Sequence, residues 1–150
     1  LIKEGQDLNV RPGCPNLIER IESGLLSYGN DMDRNDTPLE CGLDSFVSFN
    51  SEIEYLGKTT LQKQKDEGVT RSLVGLFLDL EEISVIQYLP ILNKGQMIGT
   101  LRSACFSPKF NKCLGIAMIN KPHQNFEHNL SLLINGNEIS AKMTNLPFTK

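Results

Sequence analysis

The dipeptide Asn135-Gly136 constrains this chain most. It lies between two β-prone stretches, Leu130–Ile134 and Glu138–Met143. A two-residue hairpin turn needs positive φ at both central positions, which Asn and Gly tolerate. The stretch is therefore committed to an antiparallel hairpin. Asn93-Lys94-Gly95 gives a second tight-turn signal. Around these turns lie further β-rich runs: Ser72–Leu80, Val85–Leu92 interrupted by Pro90, Gln96–Phe106 and Cys113–Asn120. Five to six short strands, with a turn every ten or so residues, predict a small antiparallel barrel or sandwich over residues 71–150.

The chain before it reads differently. Lys58–Glu67 is a polar helix with Leu61 as its apolar anchor and Gly68 as its stop. Being poor in apolar residues, it suits a surface connector over residues 58–70. Phe46, Val47 and Phe49 suggest a half-buried strand over Asp44–Asn50. Pro15 suits a helix start, and Leu17, Ile21 and Leu25 then share one face. Glu19, Arg20 and Glu22 fall on or near the other side. Gly24 and Gly29 loosen the backbone beyond the helix, and Asn30–Asp36 is a polar loop that Thr37-Pro38 ends. Residues 1–13 read as the frayed end of a helix, with Pro12-Gly13 as a turn. The predicted class is α+β: the tail of a larger α+β body over residues 1–57, then the linker helix, then the barrel.

Charge divides the same way. Residues 1–57 hold 4 Lys/Arg against 11 Asp/Glu, whereas residues 58–150 hold 11 against 7. The basic half has no dense Lys/Arg cluster, which argues against nucleic acid as a partner. No apolar run approaches the roughly 20 residues that span a bilayer. Nor is there a secretory leader at Leu1, so the expected location is the cytoplasm. Opening on Leu rather than Met suggests a piece of a longer polypeptide. Cys14, Cys41, Cys105 and Cys113 show no C-x-x-C spacing, so reduced thiols are expected rather than a zinc site. His123 and His128 are five apart and read as solvated. No metal ligands are assigned. Gly57-Lys58-Thr59 is not a phosphate loop, because Glu52 stands where such a loop needs glycine. Asn35-Asp36-Thr37 and Asn129-Leu130-Ser131 fit a glycosylation pattern that short sequences often match by chance.

One stretch carries more. Arg20–Asp31 reads R-I-E-S-G-L-L-S-Y-G-N-D, and Thr37–Leu43 reads T-P-L-E-C-G-L. These resemble the R-L-E-x-G-L-x-L-Y-G-x-D and T-P-x-E-x-x-L signatures of the folate-dependent aminomethyltransferases, the glycine-cleavage T-protein family. Gly99–Pro108, Lys112–Met118 and Asn145–Phe148 resemble that family's I-G-x-x-T-S, S-P, K-x-I-A and x-x-P-F elements. The likeness covers residues 14–148 and is most specific over its first thirty. It implies a folate-binding body followed by a barrel, with tetrahydrofolate as cofactor. Arg20 and Glu22 take the family's R-x-E positions, which help hold the folate-binding body together. Tyr28 matches its tyrosine, which could offer a pterin a ring face and a hydroxyl, or could pack as a core aromatic. Without the resemblance, Arg20 and Glu22 read as a solvated surface.

There is one departure. The family helix begins A-R-D-S-L-R-L-E, and its first arginine contacts folate. Four residues before Arg20 this chain has Asn16, which is neutral. Asn16 is then either a neutral hydrogen-bonding partner of the ligand or a packing residue. The departure fits a relative whose donor is not an aminomethyl-protein; the resemblance implies one such donor, the sulfonium zwitterion dimethylsulfoniopropionate, with methyl transfer from it to tetrahydrofolate. The expected folate-binding residues are Asn16, Arg20, Glu22 and Tyr28. No catalytic residue is expected here, because the family's principal active-site acid lies in a part upstream of this chain. The expected partners are the sulfonium, tetrahydrofolate, the remainder of the same polypeptide and, in a homo-oligomer, further copies. Two alternatives stand beside this reading. One is another aminomethyltransferase relative, such as the folate domain of a sarcosine or dimethylglycine dehydrogenase. The other is a folate-binding or interaction module without catalysis.

Overall fold

The computed structural model describes residues 3–8, 16–85, 87–124 and 129–148. The predicted turn at Pro12-Gly13, the helix start at Pro15, Cys14 and His128 lie outside these residues. Six strands form a closed antiparallel barrel: β1 (Arg71–Leu78), β2 (Leu89–Asn93), β3 (Gln96–Ser107), β4 (Lys112–Asn120), β5 (Asn129–Ile134) and β6 (Asn137–Thr144). Around the barrel the order is β1-β4-β3-β2-β5-β6, and β6 pairs back onto β1. Closure leaves no free sheet edge to template association.

Both predicted turns are present. Asn135 and Gly136 have φ of 50° and 81°, and Lys94 and Gly95 have 50° and 78°. Each turn joins a terminal strand pair, Ile134 with Asn137 and Asn93 with Gln96. The second strand is shorter than the sequence predicts, starting at Leu89 rather than Val85. Pro90, which has no N–H to give a ladder, falls at the second position of this short strand.

Alternation along β4 explains its unbroken apolar run. Cys113, Ala117 and Ile119 belong to the barrel interior with Leu76, Leu101 and Leu132. Leu114 and Ile116 face the outside and pack with Ile21 and Cys105. A strand buried on both faces reads as continuous hydrophobicity. The outer wall over β1, β4 and β3 is thus a second core. Its cover is α1 (Leu17–Glu22) together with the C-terminal tail. Phe148 closes this layer in a trio with Phe77 and Phe110, ring centroids 5.5 to 6.3 Å apart.

In β3 one residue sets which side chains face this outer layer. Leu101 pairs with Ala117 and Ser103 with Ile116, so Arg102 is an extra residue, a β-bulge. Leu101 points inward. Were Arg102 a regular rung of the ladder, Ser103, Cys105 and Ser107 would do the same. With it they face α1.

Three expectations for the N-terminal part change. Asp44–Asn50 is not a strand: Asp44–Phe46 is a 3-10 turn, and Phe46 is 84% exposed. Its backbone N–H groups bond locally, Phe46 to Leu43 O and Val47 to Asp44 O, so no neighbouring strand is needed. Secondly, α1 ends at Glu22, and Leu17 and Leu25 are half exposed while Ile21 is fully buried. Thirdly, not all of the side expected to be polar meets solvent: Glu22 is buried beside Ile21, while Glu19 is exposed. Near the N-terminus, Gln6–Leu8 forms a 3-10 turn. The predicted polar helix is present: α2 (Lys58–Glu67) has no buried residue and stops at Gly68.

Gly99 marks the tightest place in the barrel wall. A Cβ there would lie 2.2 Å from Met118 O and 2.9 Å from Ile119 Cα, both backbone atoms. Gly99→Ala is expected to cost about 1–3 kcal/mol by overpacking. Urea unfolding of the variant against wild type checks this.

Candidate functional site

Asn16 opens α1. Its side-chain oxygen accepts the Glu19 N–H at 2.8 Å, the usual work of an N-cap. One turn later Arg20 leaves the helix toward the barrel. Its Nη1 pairs with Asp31 and also donates to Leu25 O at 3.1 Å. Nη2 donates to Ser103 Oγ at 3.2 Å. Ser103 Oγ donates in turn to the other oxygen of Asp31. The Ser27 N–H adds a third bond to this carboxylate at 2.7 Å. Asp31 is fully buried, and Arg20 keeps 12% of its side-chain surface. A carboxylate taken wholly out of water needs such a full set of donors.

Two residues on, Glu22 reaches the same strand. Ser107 Oγ donates to Glu22 Oε1 at 2.5 Å, and Glu22 O accepts the Phe148 N–H at 3.0 Å. Arg20 and Glu22 lie on opposite sides of Ile21, which fills the apolar gap between Ser103 and Ser107. The R-I-E triplet is therefore a polar–apolar–polar strip laid along β3. Its spacing matches Ser103, Cys105 and Ser107.

The loop after Asp31 has its own anchorage. Thr37 and Glu40 form a reciprocal box: the Thr37 N–H donates to Glu40 Oε2 at 2.8 Å, and the Glu40 N–H to Thr37 Oγ1 at 3.3 Å. This gives T-P-x-E a physical meaning as a capping box, with Pro38 at the first position of the turn. Arg71 of β1 then grips the loop through Glu40 Oε1 at 2.8 Å, Asn35 O at 2.8 Å and Asp36 Oδ1 at 3.1 Å. The bulge residue Arg102 reaches Asp36 from the other side at 3.3 Å, and its guanidinium lies 4.1 Å from the Tyr88 ring centre. Burial pushes the Glu40 carboxyl upward. The Arg71 and Thr37 hydrogen bonds and the Arg71 charge outweigh that, leaving it below the usual range.

The four expected ligand residues thus separate into two kinds. Arg20 and Glu22 come together on the barrel wall in buried polar contacts. Tyr28 is 70% exposed, at an isolated bridge to Met32, and Asn16 is exposed at the helix start. Sequence reasoning does not single out Asp31, Asp36, Glu40, Arg71, Arg102, Ser103 or Ser107 as site residues. The motif wording does contain a signal for four of them: Asp31 closes the first signature, Glu40 closes T-P-x-E, and Ser103 and Ser107 fall in the I-G-x-x-T-S and S-P elements. Among the described residues no group of three His, Cys, Asp or Glu side chains is placed to hold a metal. Cys41, Cys105 and Cys113 are free and buried. Burial first, and nearby carboxylates second, push the Cys41 and Cys105 thiols up to about 11. Neither is a ready nucleophile.

Asp31→Asn is expected to lower stability by about 3–5 kcal/mol, because it leaves the Arg20 charge unpaired in a nearly dry place. Ser107→Ala is expected to cost about 1.5–3 kcal/mol, the value of a hydrogen bond to a charged group. Denaturant unfolding reads both. Glu40 gives a pH test. Its carboxyl is held low in the folded chain, so its stabilisation is present above the unfolded value of about 4.3 and is lost as pH falls through the folded value. Glu40→Gln should be the less stable chain at pH 7. The gap to wild type should close as pH falls from about 5 to 3. Thermal unfolding across that range measures it.

Comparison with known proteins fits this geometry. Residues 71–150 match the model of the glycine cleavage T-protein C-terminal barrel domain. Among curated relatives, the dimethylsulfoniopropionate demethylase DmdA of Ruegeria pomeroyi is 46% identical over 123 residues, 82% of this chain and 33% of that protein. An aminomethyltransferase of a Synechococcus strain is 36% identical over 129 residues, covering 86% and 36% of the two chains. The crystal structure of aminomethyltransferase T from Bartonella henselae superposes with a TM-score of 0.77 at 22% identity, over 87% of this chain and 37% of that one, a likeness of fold. The chain spans about a third of the length of these relatives. By its barrel and by its identity to these relatives, the chain belongs to the glycine-cleavage T-protein family of aminomethyltransferases and corresponds to that family's C-terminal part.

Proposed function

We propose that this chain is the C-terminal part of a methyltransferase that moves a methyl group from dimethylsulfoniopropionate to tetrahydrofolate. The observation that carries the reading is the 46% identity to the Ruegeria pomeroyi demethylase, against 36% to the Synechococcus aminomethyltransferase. Asn16 supports it: where the family helix carries a folate-contacting arginine, this chain has a neutral residue whose carbonyl is engaged in capping.

The chemistry asks for alignment more than for a reactive side chain. A folate nitrogen attacks the sulfonium methyl carbon in line. The new N–C bond forms as the C–S bond breaks, and its electron pair neutralises sulfur, which leaves as a thioether. The nitrogen's proton passes to a base or to water. Binding that fixes the two reactants in line supplies most of the acceleration in such a transfer. On this reading Asn16, Arg20, Glu22 and Tyr28 belong to the folate side. Arg20 and Glu22 act from positions set by Ser103 and Ser107, and exposed Tyr28 offers its ring face. Residues 1–57 then complete a folate-binding body supplied by the remainder of the polypeptide, residues 58–70 are its link, and the protein works in the cytoplasm. Among the described residues no helix is long and apolar enough to cross a membrane.

The second reading is an aminomethyltransferase proper, favoured by the Synechococcus relative. The assay that separates them tracks 5-methyltetrahydrofolate in the complete enzyme. It should appear with the sulfonium and not with an aminomethylated lipoyl carrier; the reverse result selects the second reading. The 150-residue chain alone is expected to form none with either donor, and methylated folate from it would overturn its assignment as a partial enzyme.

A further inference from the structure

Past the rings of Phe77 and Phe110 the outer wall of the barrel opens into a cleft of about 690 Å3. Strands β1 and β6 floor it, and Phe110 and Lys112 border it on the β4 side. The sheet register fixes which side chains face it. Phe77 lies on the outer face, paired with Leu114 on β4 and with Lys142 on β6. Leu78 and Cys113 point into the barrel, so their neighbours Asp79 and Lys112 point out. The Asp79 N–H bonds Ser140 O at 3.0 Å, which carries the pairing of β1 with β6 one residue further. Lys112 and Lys142 therefore stand on strands about 10 Å apart, with Asp79 and Phe77 between them. All three charged side chains are exposed. Among the described residues none of the three has an ion pair or a side-chain hydrogen bond. The cleft thus offers two uncommitted cations, one carboxylate and an aromatic wall. Its volume is that of a small-molecule site, and apolar walls with a few polar groups are the usual make-up of one.

We propose that this cleft binds a small aromatic monocarboxylate, its ring against Phe77 and Phe110 and its carboxylate between Lys112 and Lys142. Each element has a physical reason. A flat ring gains from offset or edge contact with the two phenylalanines. Lysine is a point charge on a flexible stem, so two of them reach one anion from either side of β1. Asp79 leaves the site a single net positive charge. A second negative charge on the ligand would face that carboxylate, so phosphate and dicarboxylates are disfavoured. The site uses none of Asn16, Arg20, Glu22 and Tyr28, and it stands whether or not the methyltransferase reading holds.

The test is a titration of the 150-residue chain with benzoate, followed by the shifts of its backbone amide signals. Saturable shifts are expected at residues 77–79, 110–112 and 140–144. Lys112→Gln and Lys142→Gln should each weaken benzoate by about fivefold, the value of one partly exposed ion pair. Asp79→Asn should tighten it and let inorganic phosphate bind. Acetate, which lacks the ring, and benzyl alcohol, which lacks the charge, should both bind more weakly than benzoate. All three substitutions fall at exposed positions, and unchanged signals from the barrel interior show that each variant is folded. Shifts that do not saturate, or that centre elsewhere on the chain, would overturn the proposal. So would benzoate affinity equal in wild type and both lysine variants. Phosphate or acetate binding wild type as tightly as benzoate does would reduce the cleft to a basic patch and sink the proposed ligand class.

Discussion

Everything in front of the barrel depends on a buried carboxylate. Asp31 is fully enclosed and holds Arg20, Ser103 and the Ser27 backbone around it. An unpaired charge in that position would not be tolerated. The loop, helix and strand must therefore assemble together or not at all. Glu22 and Ser107 repeat the device on the far side of Ile21. The seam between the irregular N-terminal part and the barrel is thus fixed by directional contacts, with Ile21 adding about 1.5–3 kcal/mol of apolar burial. Directional contacts are the ones that set register.

The same logic explains two short motifs of this chain. In R-x-E the two charges point to either side of an apolar residue and meet serines spaced four apart on one strand. In T-P-x-E the threonine and glutamate satisfy each other's backbone, and the second glutamate oxygen is left for Arg71. Each motif fixes a piece of backbone against the barrel wall.

What could be read in the sequence depends on how local each cause is. The hairpins are legible because Asn135-Gly136 and Lys94-Gly95 carry their own backbone requirement. The helix α2 is legible from its polarity and from Gly68. The strand expected at Asp44–Asn50 fails because Phe46 and Phe49 suggest a buried face, while local turn bonds satisfy the backbone and leave Phe46 in water. Glu22 looks solvated because its partner, Ser107, is 85 residues away. The bulge at Arg102 has no residue signature at all; it exists only in the pairing of β3 with β4.

That bulge bears on how such a chain can change over generations. Hairpin tips and the polar connector can gain or lose residues with local effects. Losing Arg102 itself would leave a regular ladder with Ser103 still opposite Ile116 and still facing α1, at the cost of the guanidinium that reaches Asp36 and Tyr88. A residue gained or lost at a paired position beyond it would turn the later side chains over, so this strand can shed length at its bulge and nowhere else without inverting its faces.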